Sequence, residues 1–208
     1  MSTAFKGLVV VITGAGSGIG LAVAKKLKAQ GAEVFGLDLS AGELESSGAG
    51  IWIQCDIARD ESVNLAFKEI SSKASKIDIL INNAGIGAQG GVEATTTEEW
   101  IKVLNVNVIG TSRVSSAALP LMRKSSDGAI VNTCSVVATV GLPNRAIYSA
   151  SKGAVLSLTL AMAADLLPER IRVNCVNPGT ADTPWVGRLL SQSTDPAKER
   201  ASLEARQP

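Results

Sequence analysis

Residues 8–20 read LVVVITGAGSGIG, a β-branched run followed by a glycine-rich segment. Leu21 to Gln30 then places apolar residues at helical spacing, and Gly31 follows as a stop signal. The pattern predicts a strand, a glycine loop and a helix, an arrangement in which a dinucleotide pyrophosphate meets the backbone amides of a helix N-terminus. The glycines are spaced G-x-x-x-G-x-G, which differs from the general G-x-G-x-x-G fingerprint. A flexible turn is the alternative interpretation.

The rest of the chain alternates β-branched runs with helical patterns. Such alternation builds right-handed crossovers and a parallel sheet covered on both faces, with ligands at the carboxyl ends of the strands. The chain has no linker rich in proline, glycine or serine, no internal repeat and no low-complexity tract. It therefore predicts an α/β fold, a single doubly wound Rossmann domain over residues 1–208. The predicted strands are Leu8 to Ile12, Glu33 to Leu37, Ile51 to Gln54, Ile79 to Ile81, Ala129 to Thr133 and Arg172 to Val176.

Composition excludes several classes of function. The chain has 208 residues, 46% of them hydrophobic and 19% charged. Its net charge is +1 and it has no basic run, which argues against nucleic acid as a partner. No apolar run reaches about 18 residues and no signal peptide is recognisable, which predicts a cytoplasmic protein without a membrane partner. The three cysteines, Cys55, Cys134 and Cys175, are dispersed in apolar runs and suit reduced buried thiols better than disulfides or a metal site.

The chain contains one tyrosine and no histidine, which excludes histidine chemistry. That tyrosine, Tyr148, stands four residues before Lys152 in a helical pattern, so the ammonium can lie beside the phenol and favour its ionised form. Bringing the phenol pKa from about 10 towards neutrality needs about 4 kcal/mol, which is within reach of an adjacent cation and a bound cationic cofactor. The pair alone is a weak signal, because the same spacing is common by chance.

Several blocks together resemble the short-chain dehydrogenase/reductase family from Phe5 to about Arg206. Asn82 to Gly85 reads N-N-A-G, Asn107 sits in V-N-V-x-G, and Ser135 stands thirteen residues before Tyr148, as in that family. The glycine loop and the stretch Arg172 to Gly179, with Thr183 after it, also match. The resemblance implies hydride transfer between a nicotinamide and a carbinol carbon.

The resemblance also implies the catalytic roles. Tyr148 would exchange the hydroxyl proton and Ser135 would hydrogen-bond the same oxygen. Lys152 would lower the phenol pKa and hold the nicotinamide ribose, and Asn107 would position a water that connects Lys152 to solvent. Each residue has a structural alternative: a strand-end serine, a solvated lysine and an asparagine satisfied by the backbone.

The expected cofactor is NAD. The carboxylate of Asp38, at the end of the second strand, can accept hydrogen bonds from both adenosine ribose hydroxyls but would repel a 2′-phosphate. A solvated aspartate is the alternative. The expected cofactor-binding residues follow strand ends or belong to the matching blocks: Gly14, Ser17, Gly18, Ile19, Gly20, Asp38, Asp56, Ile57, Asn83, Ala84, Gly85, Tyr148, Lys152, Pro178, Gly179, Thr180 and Thr183.

Arginines predict the substrate class. Arg145 stands three residues before Tyr148, while Arg188 and Arg206 lie in the segment 183–208 that covers the substrate in this family. Three guanidiniums could converge on a carboxylate, and the order Asn144-Arg145 with later arginines resembles the cytosolic 3-hydroxybutyrate and sugar-acid dehydrogenases of this family. Solvated surface arginines are the alternative, and Trp185 is either a pocket wall or part of the core.

The combined prediction is an NAD-dependent oxidoreductase for a small hydroxy acid, sugar acid or polyol. The alternatives are an NADPH-dependent 3-oxoacyl-carrier-protein reductase, a non-catalytic NAD-sensing protein and a sugar-nucleotide epimerase. Family members usually continue with a further helix and a last strand, so we expect segment 183–208 to be incomplete. The family's helix pairing predicts a homo-oligomer, a dimer or a homotetramer.

Overall fold

The computed structural model describes residues 3–191 and 193–205, with the side chain of Arg188 excepted. Within these residues a six-stranded, all-parallel sheet has the order β3-β2-β1-β4-β5-β6. This confirms the predicted doubly wound α/β fold. The strands are β1 Val9–Thr13, β2 Glu33–Asp38, β3 Ile51–Gln54, β4 Ile79–Asn82, β5 Ala129–Thr133 and β6 Arg172–Val176.

β1 lies in the middle of the sheet and is buried along its whole length. Its side chains alternate between two apolar clusters: Val9 and Val11 belong to one, and Val10 and Ile12 belong to the other. Burial on both faces explains why the strand reads as a continuous apolar run, as parallel strands under two helical layers do. Each such side chain contributes about 1.5–3 kcal/mol on burial.

Helices cover both faces of the sheet. The helical stretch from Thr97 to Met122 is interrupted by a π-helical turn at Asn105–Ile109, which apolar spacing cannot reveal because the flanking turns keep their helical period. The helices are α1 Gly18–Ala29, α2 Asp60–Lys73, α3 Thr97–Leu104, α4 Gly110–Met122, α5 Ala146–Leu166, α6 Pro184–Ser191 and α7 Pro196–Glu204.

A buried polar network ties the sheet to α4 and α5. Asn82 and Asn132 are opposite each other in β4 and β5, and the Asn82 amide nitrogen donates to the Asn132 Oδ1 at 2.9 Å. Asn82 also donates to Ser115 of α4, and Asn132 donates to Thr159 of α5. No hydrogen-bond donor among the described residues reaches the buried Oδ1 of Asn82. Asparagine inside a strand is unfavourable alone, so these helix hydroxyls stabilise it.

One helical stretch, Ala146–Glu169, is long and apolar enough to cross a membrane by length and composition alone. A core helix of a soluble protein can have the same length and composition, so these two properties alone are weak evidence for a membrane-spanning helix. In the structure this stretch packs against β6 and carries buried polar side chains, including Ser151 and Lys152.

Candidate active site and cofactor cradle

The glycine loop between β1 and α1 is packed too tightly for side chains. A Cβ on Gly20 would lie 2.1 Å from the carbonyl oxygen of Gly14 and 2.7 Å from the amide nitrogen of Asn83. Gly14 and Gly18 have φ angles of 67° and 54°, which favour glycine. The loop therefore has a fixed shape ahead of the first α1 amides, which lack partners within the helix. This cradle suits the pyrophosphate of a dinucleotide.

The end of β4 holds this loop in place. The Asn83 side chain donates to the carbonyl oxygens of Thr13 and Gly14 at 3.1 and 3.2 Å. In return, the Thr13 hydroxyl accepts hydrogen bonds from the backbone amides of Asn83 and Ala84, both at 3.0 Å. Asn83 is thus more than a turn former, because it joins two neighbouring strand ends.

Asp38 also contacts the glycine loop. Its Oδ2 accepts a hydrogen bond from the Gly16 amide at 2.9 Å, which fixes the carboxylate at the carboxyl end of β2. Asp38 is half-buried rather than fully solvated. A carboxylate held in this way can still accept further hydrogen bonds, because each oxygen has two lone pairs.

The loop after β3 has its own internal bonds. Asp56 Oδ1 accepts from the Ala58 amide at 2.9 Å, and the Asp56 amide donates to the Ser62 hydroxyl at 2.9 Å. Ile57 is buried against α4, where a Cβ on Gly110 would lie 2.9 Å from its Cδ1. Strand pairing sets the carboxyl end of β3 beside that of β2, which in turn pairs with β1.

Ser135, Tyr148 and Lys152 form one cluster at the carboxyl end of β5. The Ser135 side chain lies near the Tyr148 phenol and favours its ionised form. The Lys152 Nζ lies 5.8 Å from the centre of the Tyr148 ring and donates to the Thr133 carbonyl at 2.7 Å. Lys152 is only 5% exposed, so it is not a solvated surface charge.

Electrostatics in the cluster differ from the expectation that Lys152 lowers the phenol pKa. Burial raises the pKa of Tyr148, and the opposing effects of the Ser135 hydrogen bond and the positive charge of Arg145 are smaller. Burial likewise lowers the pKa of Lys152. Burial thus favours the neutral form of both groups, whereas a positive charge close to the phenol favours its ionised form.

Asn107 lies in the π-helical turn and is 1% exposed. Its side chain donates to the Ile86 carbonyl and to the Ser151 hydroxyl, both at 3.0 Å, and accepts from the Ile86 amide at 2.8 Å. A Cβ on Gly85 would lie 3.1 Å from Asn107 Oδ1 and 3.6 Å from Lys152 Nζ. Asn107 therefore fixes the loop that borders Lys152.

The segment after β6 faces the glycine loop. The Pro178 carbonyl accepts a hydrogen bond from the Val136 amide at 3.2 Å, next to Ser135. Thr183 lies across from Gly18, whose Cβ would be 3.5 Å from the Thr183 methyl group. Gly179 and Thr180 connect these two points in the sequence. The segment thus runs from the cluster of Ser135, Tyr148 and Lys152 to the start of α1.

The residues predicted to bind the substrate lie in different places, and two of their side chains are outside the described part of the chain. Arg145 lines a cleft of about 280 Å³ together with Gln89, Pro143, Asn144, Leu189, Ser193 and Glu199. Trp185 packs on the backbone of Gly87, where a Cβ would lie 2.5 Å from the indole ring, and it is 37% exposed, so it is not part of the buried core. The Arg188 side chain and Arg206 lie outside the described residues. Convergence of three guanidiniums stays a prediction.

The sequence did not indicate the two side chains that hydrogen-bond to the loop after β3. Arg113 of α4 donates to the Ile57 carbonyl, and Asn105 of the π-helical turn donates to the Ala58 carbonyl. An arginine on a largely apolar helix carries no signal of its partner, which is 56 residues away. The Asn82–Asn132 pair was also missed, although asparagine in a buried strand is a usable signal.

The comparisons with known proteins agree with this geometry. The family model for short chain dehydrogenases matches residues 8–194. The 2-(S)-hydroxypropyl-CoM dehydrogenase 3 of Xanthobacter autotrophicus is 38% identical, covering 98% of this chain and 83% of its own. The cis-4-hydroxycyclohexanecarboxylate dehydrogenase of Sinomonas cyclohexanicum is 36% identical, covering 100% and 84%.

A solved structure shows the same fold. The 3-ketoacyl-(acyl-carrier-protein) reductase of Brucella melitensis, complexed with NADH, superposes with a TM-score of 0.82 at 36% identity, over 86% of this chain and 78% of that one. The protein belongs to the short-chain dehydrogenase/reductase family. It is an oxidoreductase that acts on CH–OH groups with a nicotinamide cofactor.

Proposed function

We propose that the protein is an NAD-dependent dehydrogenase for a small secondary alcohol that carries a carboxylate. The single observation behind this proposal is the cluster in which Ser135 lies near the Tyr148 phenol, Lys152 lies beside the ring and the positive charge of Arg145 has a smaller effect on the same phenol. One cluster thus combines an acid/base group with a guanidinium suited to a carboxylate.

NAD rather than NADP is supported by the position of Asp38. Its carboxylate is fixed by the Gly16 amide at the point where the adenosine ribose would lie, so a 2′-phosphate would meet a negative charge. The glycine loop would hold the pyrophosphate, with Asp56 and Ile57 beside the adenine. Asn83, Ala84 and Gly85 would line the central part, and Pro178, Gly179, Thr180 and Thr183 the nicotinamide side. Bound NAD supplies the acceptor for the hydride.

The chain's own residues handle the proton. Tyr148 Oη removes the proton from the substrate hydroxyl, while the Ser135 hydroxyl donates a hydrogen bond to the same oxygen and holds it in place. Because burial raises the Tyr148 pKa, a positive charge close to the phenol is needed for it to act as a base near neutral pH. Lys152 is placed to add to that charge, and Asn107 keeps the neighbouring loop in position.

The carboxylate is supported by Arg145 and by one relative. Arg145 is the N-cap residue of α5, three residues before Tyr148, and lines the cleft of about 280 Å³. The name of the Sinomonas relative combines a hydroxyl and a carboxylate in one substrate. A hydroxy acid of this kind would place its hydroxyl at Tyr148 and its carboxylate at Arg145. Sugar acids satisfy the same chemistry, whereas plain polyols lack the anion.

Residues 1–208 would form one NAD-binding domain, with residues 183–208 covering the substrate. We further propose a homo-oligomer, a dimer or tetramer, working in the cytoplasm. Its support is the exposed apolar side chains of the α3 to α5 region, such as Ile101 at 64% and Leu160 at 67%. Light scattering on the purified protein tests the oligomeric state.

The test of function is NADH formation with a panel of hydroxy acids, sugar acids, polyols and simple secondary alcohols. We expect turnover with hydroxy or sugar acids and a preference for NAD over NADP. The Tyr148→Phe variant should bind NAD like the wild type and lose turnover by at least about 100-fold. Near-normal turnover in this variant would refute the role of the phenol.

An acyl-carrier-protein reductase is the second candidate, because the structure of such a reductase from Brucella melitensis superposes on this chain. Its reaction would be the reduction of a 3-oxoacyl thioester. Asp38 argues against NADPH as its cofactor. Oxidation of NADPH with a 3-oxoacyl thioester, faster than NADH formation with any hydroxy acid, would favour this candidate. Silence with every substrate, together with tight NAD binding, would favour an NAD-sensing protein.

A further inference from the structure

We propose that Arg113 and Asn105 are positioning residues for the adenine end of NAD. They do not lie on the proposed adenine site themselves. They hold the backbone of the loop after β3, Asp56 to Arg59, which would carry the adenine contacts. This inference rests on the proposed function, because it presumes that NAD binds at the carboxyl ends of the strands.

The first observation is the grip of Arg113 on the loop. Its Nη1 donates to the Ile57 carbonyl at 2.6 Å, and its Nε pairs with the carboxylate of Asp60. The Arg113 side chain is 14% exposed, whereas that of Asp60 is 80% exposed. Most of the Asp60 interaction is therefore screened by water, so we assign the anchoring to the carbonyl bond.

Asn105 gives the loop a second anchor. Its amide nitrogen donates to the Ala58 carbonyl at 3.3 Å. Between the two side chains, Gly110 lets the helix approach closely, since a Cβ there would lie 3.2 Å from the Ile57 carbonyl oxygen. Two successive carbonyls of the loop are thus satisfied by one helical element.

The loop's internal bonds leave these carbonyls to the helix. Within the loop, Asp56 Oδ1 accepts from the Ala58 amide and the Asp56 carbonyl accepts from the Arg59 amide. These bonds engage Asp56, but they supply no donor to Ile57 or Ala58 carbonyl oxygens. Loss of Arg113 would leave the Ile57 carbonyl without its donor, and a partly buried acceptor in that state moves towards water.

The π-helical turn links this anchor to the active site. Asn105, at its start, holds Ala58, while Asn107, two residues later, holds Ile86 beside Lys152. The widened turn therefore sets the positions of both the adenine-side loop and the loop at the catalytic cluster. Single-turn π-helices occur often at functional sites.

The experiment compares Arg113→Ala, Arg113→Lys and Asp60→Asn with the wild type. AMP probes the adenine end, nicotinamide mononucleotide probes the other end, and steady-state kinetics give KM for NAD and kcat. We expect Arg113→Ala to weaken AMP binding and raise KM for NAD by about tenfold. Affinity for nicotinamide mononucleotide and kcat at saturating NAD should stay within about twofold.

The other two variants separate the carbonyl bond from the ion pair. Arg113→Lys keeps a charge and a donor, so it should recover most of the AMP affinity. Asp60→Asn keeps the bond to Ile57, so its AMP affinity should stay within about twofold of the wild type. If Arg113→Ala does not fold, Asn105→Ala tests the same loop and should weaken AMP binding in the same direction.

Three results would overturn the inference: unchanged AMP affinity in the alanine variants, equal loss of AMP and nicotinamide mononucleotide binding, or an Asp60→Asn effect as large as that of Arg113→Ala. The second result would mean general destabilisation, and the third would mean that the ion pair matters. A wild type that binds neither NAD nor AMP would refute the proposed function as well, so the two failures are distinguishable.

Discussion

Lys152 Nζ faces the ring of Tyr148, 5.8 Å from its centre, and donates to the Thr133 carbonyl at 2.7 Å. The helical spacing of the two residues predicts proximity, and the structure shows its form: a cation held by the strand end beside the aromatic ring. At that distance the ring and the ammonium are within cation–π range. Burial still dominates and raises the phenol pKa.

The first prediction concerns the ionisation of Tyr148. Because the chain has a single tyrosine, the ultraviolet absorption of tyrosinate reports on this residue alone. The raised pKa predicts that, in the protein without NAD, the midpoint of Tyr148 ionisation lies at a pH above the ordinary pKa of 10.0. Saturating NAD, whose nicotinamide is positive, should move the midpoint downwards. The urea-unfolded chain gives the reference, and a folded midpoint at or below it would contradict the prediction.

Gly20→Ala should disrupt the cofactor cradle. The new Cβ would overlap the Gly14 carbonyl oxygen at 2.1 Å, so either the loop or α1 must shift. We expect a loss of unfolding free energy of about 1–3 kcal/mol and no measurable NAD binding. Urea unfolding and calorimetry measure the two effects.

The matched control is Gly153→Ala in α5, where the nearest atom to the new Cβ is 3.9 Å away. Helix propensity predicts a gain of up to about 1 kcal/mol there. Equal behaviour of the two variants would show that the close packing of the loop is unimportant.

Arg145→Ala should raise KM for a hydroxy acid by about tenfold or more and change kcat less, because a charge-assisted bond to the carboxylate is lost. KM for NAD should change little. Arg172→Ala is the control, since Arg172 begins β6 at the opposite end of the sheet and is 62% exposed. An unchanged KM in Arg145→Ala would remove the support for a carboxylate substrate.

Asp78 predicts an acid dependence of stability. Burial raises its pKa, but hydrogen bonds from Lys76, Ser125 and the Val9 amide lower it more, so the net pKa lies below the ordinary value of 3.8. A lowered pKa in the folded state means that the stabilisation is present above the unfolded pKa and is lost as the pH falls through the folded one.

Asp78→Asn should therefore cost about 2 kcal/mol near neutral pH, and the difference from the wild type should shrink as the pH falls below about 4. Urea unfolding between neutral pH and pH 3 measures it. Asp127→Asn serves as the control because its carboxylate is 77% exposed and should contribute less than about 0.5 kcal/mol. A difference that stays constant with pH would show that the Asp78 charge is not responsible.

The strands could be predicted from the sequence because their signals are local. β-branched runs bounded by glycine or by polar residues give β3, β5 and β6 with their observed bounds, and the glycine loop gives the start of α1 within three residues. The candidate catalytic residues were predicted from the spacing of motifs. Their roles stay predictions, although the structure brings Ser135, Tyr148 and Lys152 together.

By itself, the sequence determined the order of strands and helices, the family and which polar residues follow each strand, because those features depend on neighbouring residues in the chain. Only the tertiary structure decided the direction of the Tyr148 pKa, the π-helical turn around Asn107 and the grip of Arg113 on Ile57. Desolvation and hydrogen bonding between residues distant in the sequence depend on which groups packing brings within a few ångströms of each other. The spacing of residues along the chain does not give these distances.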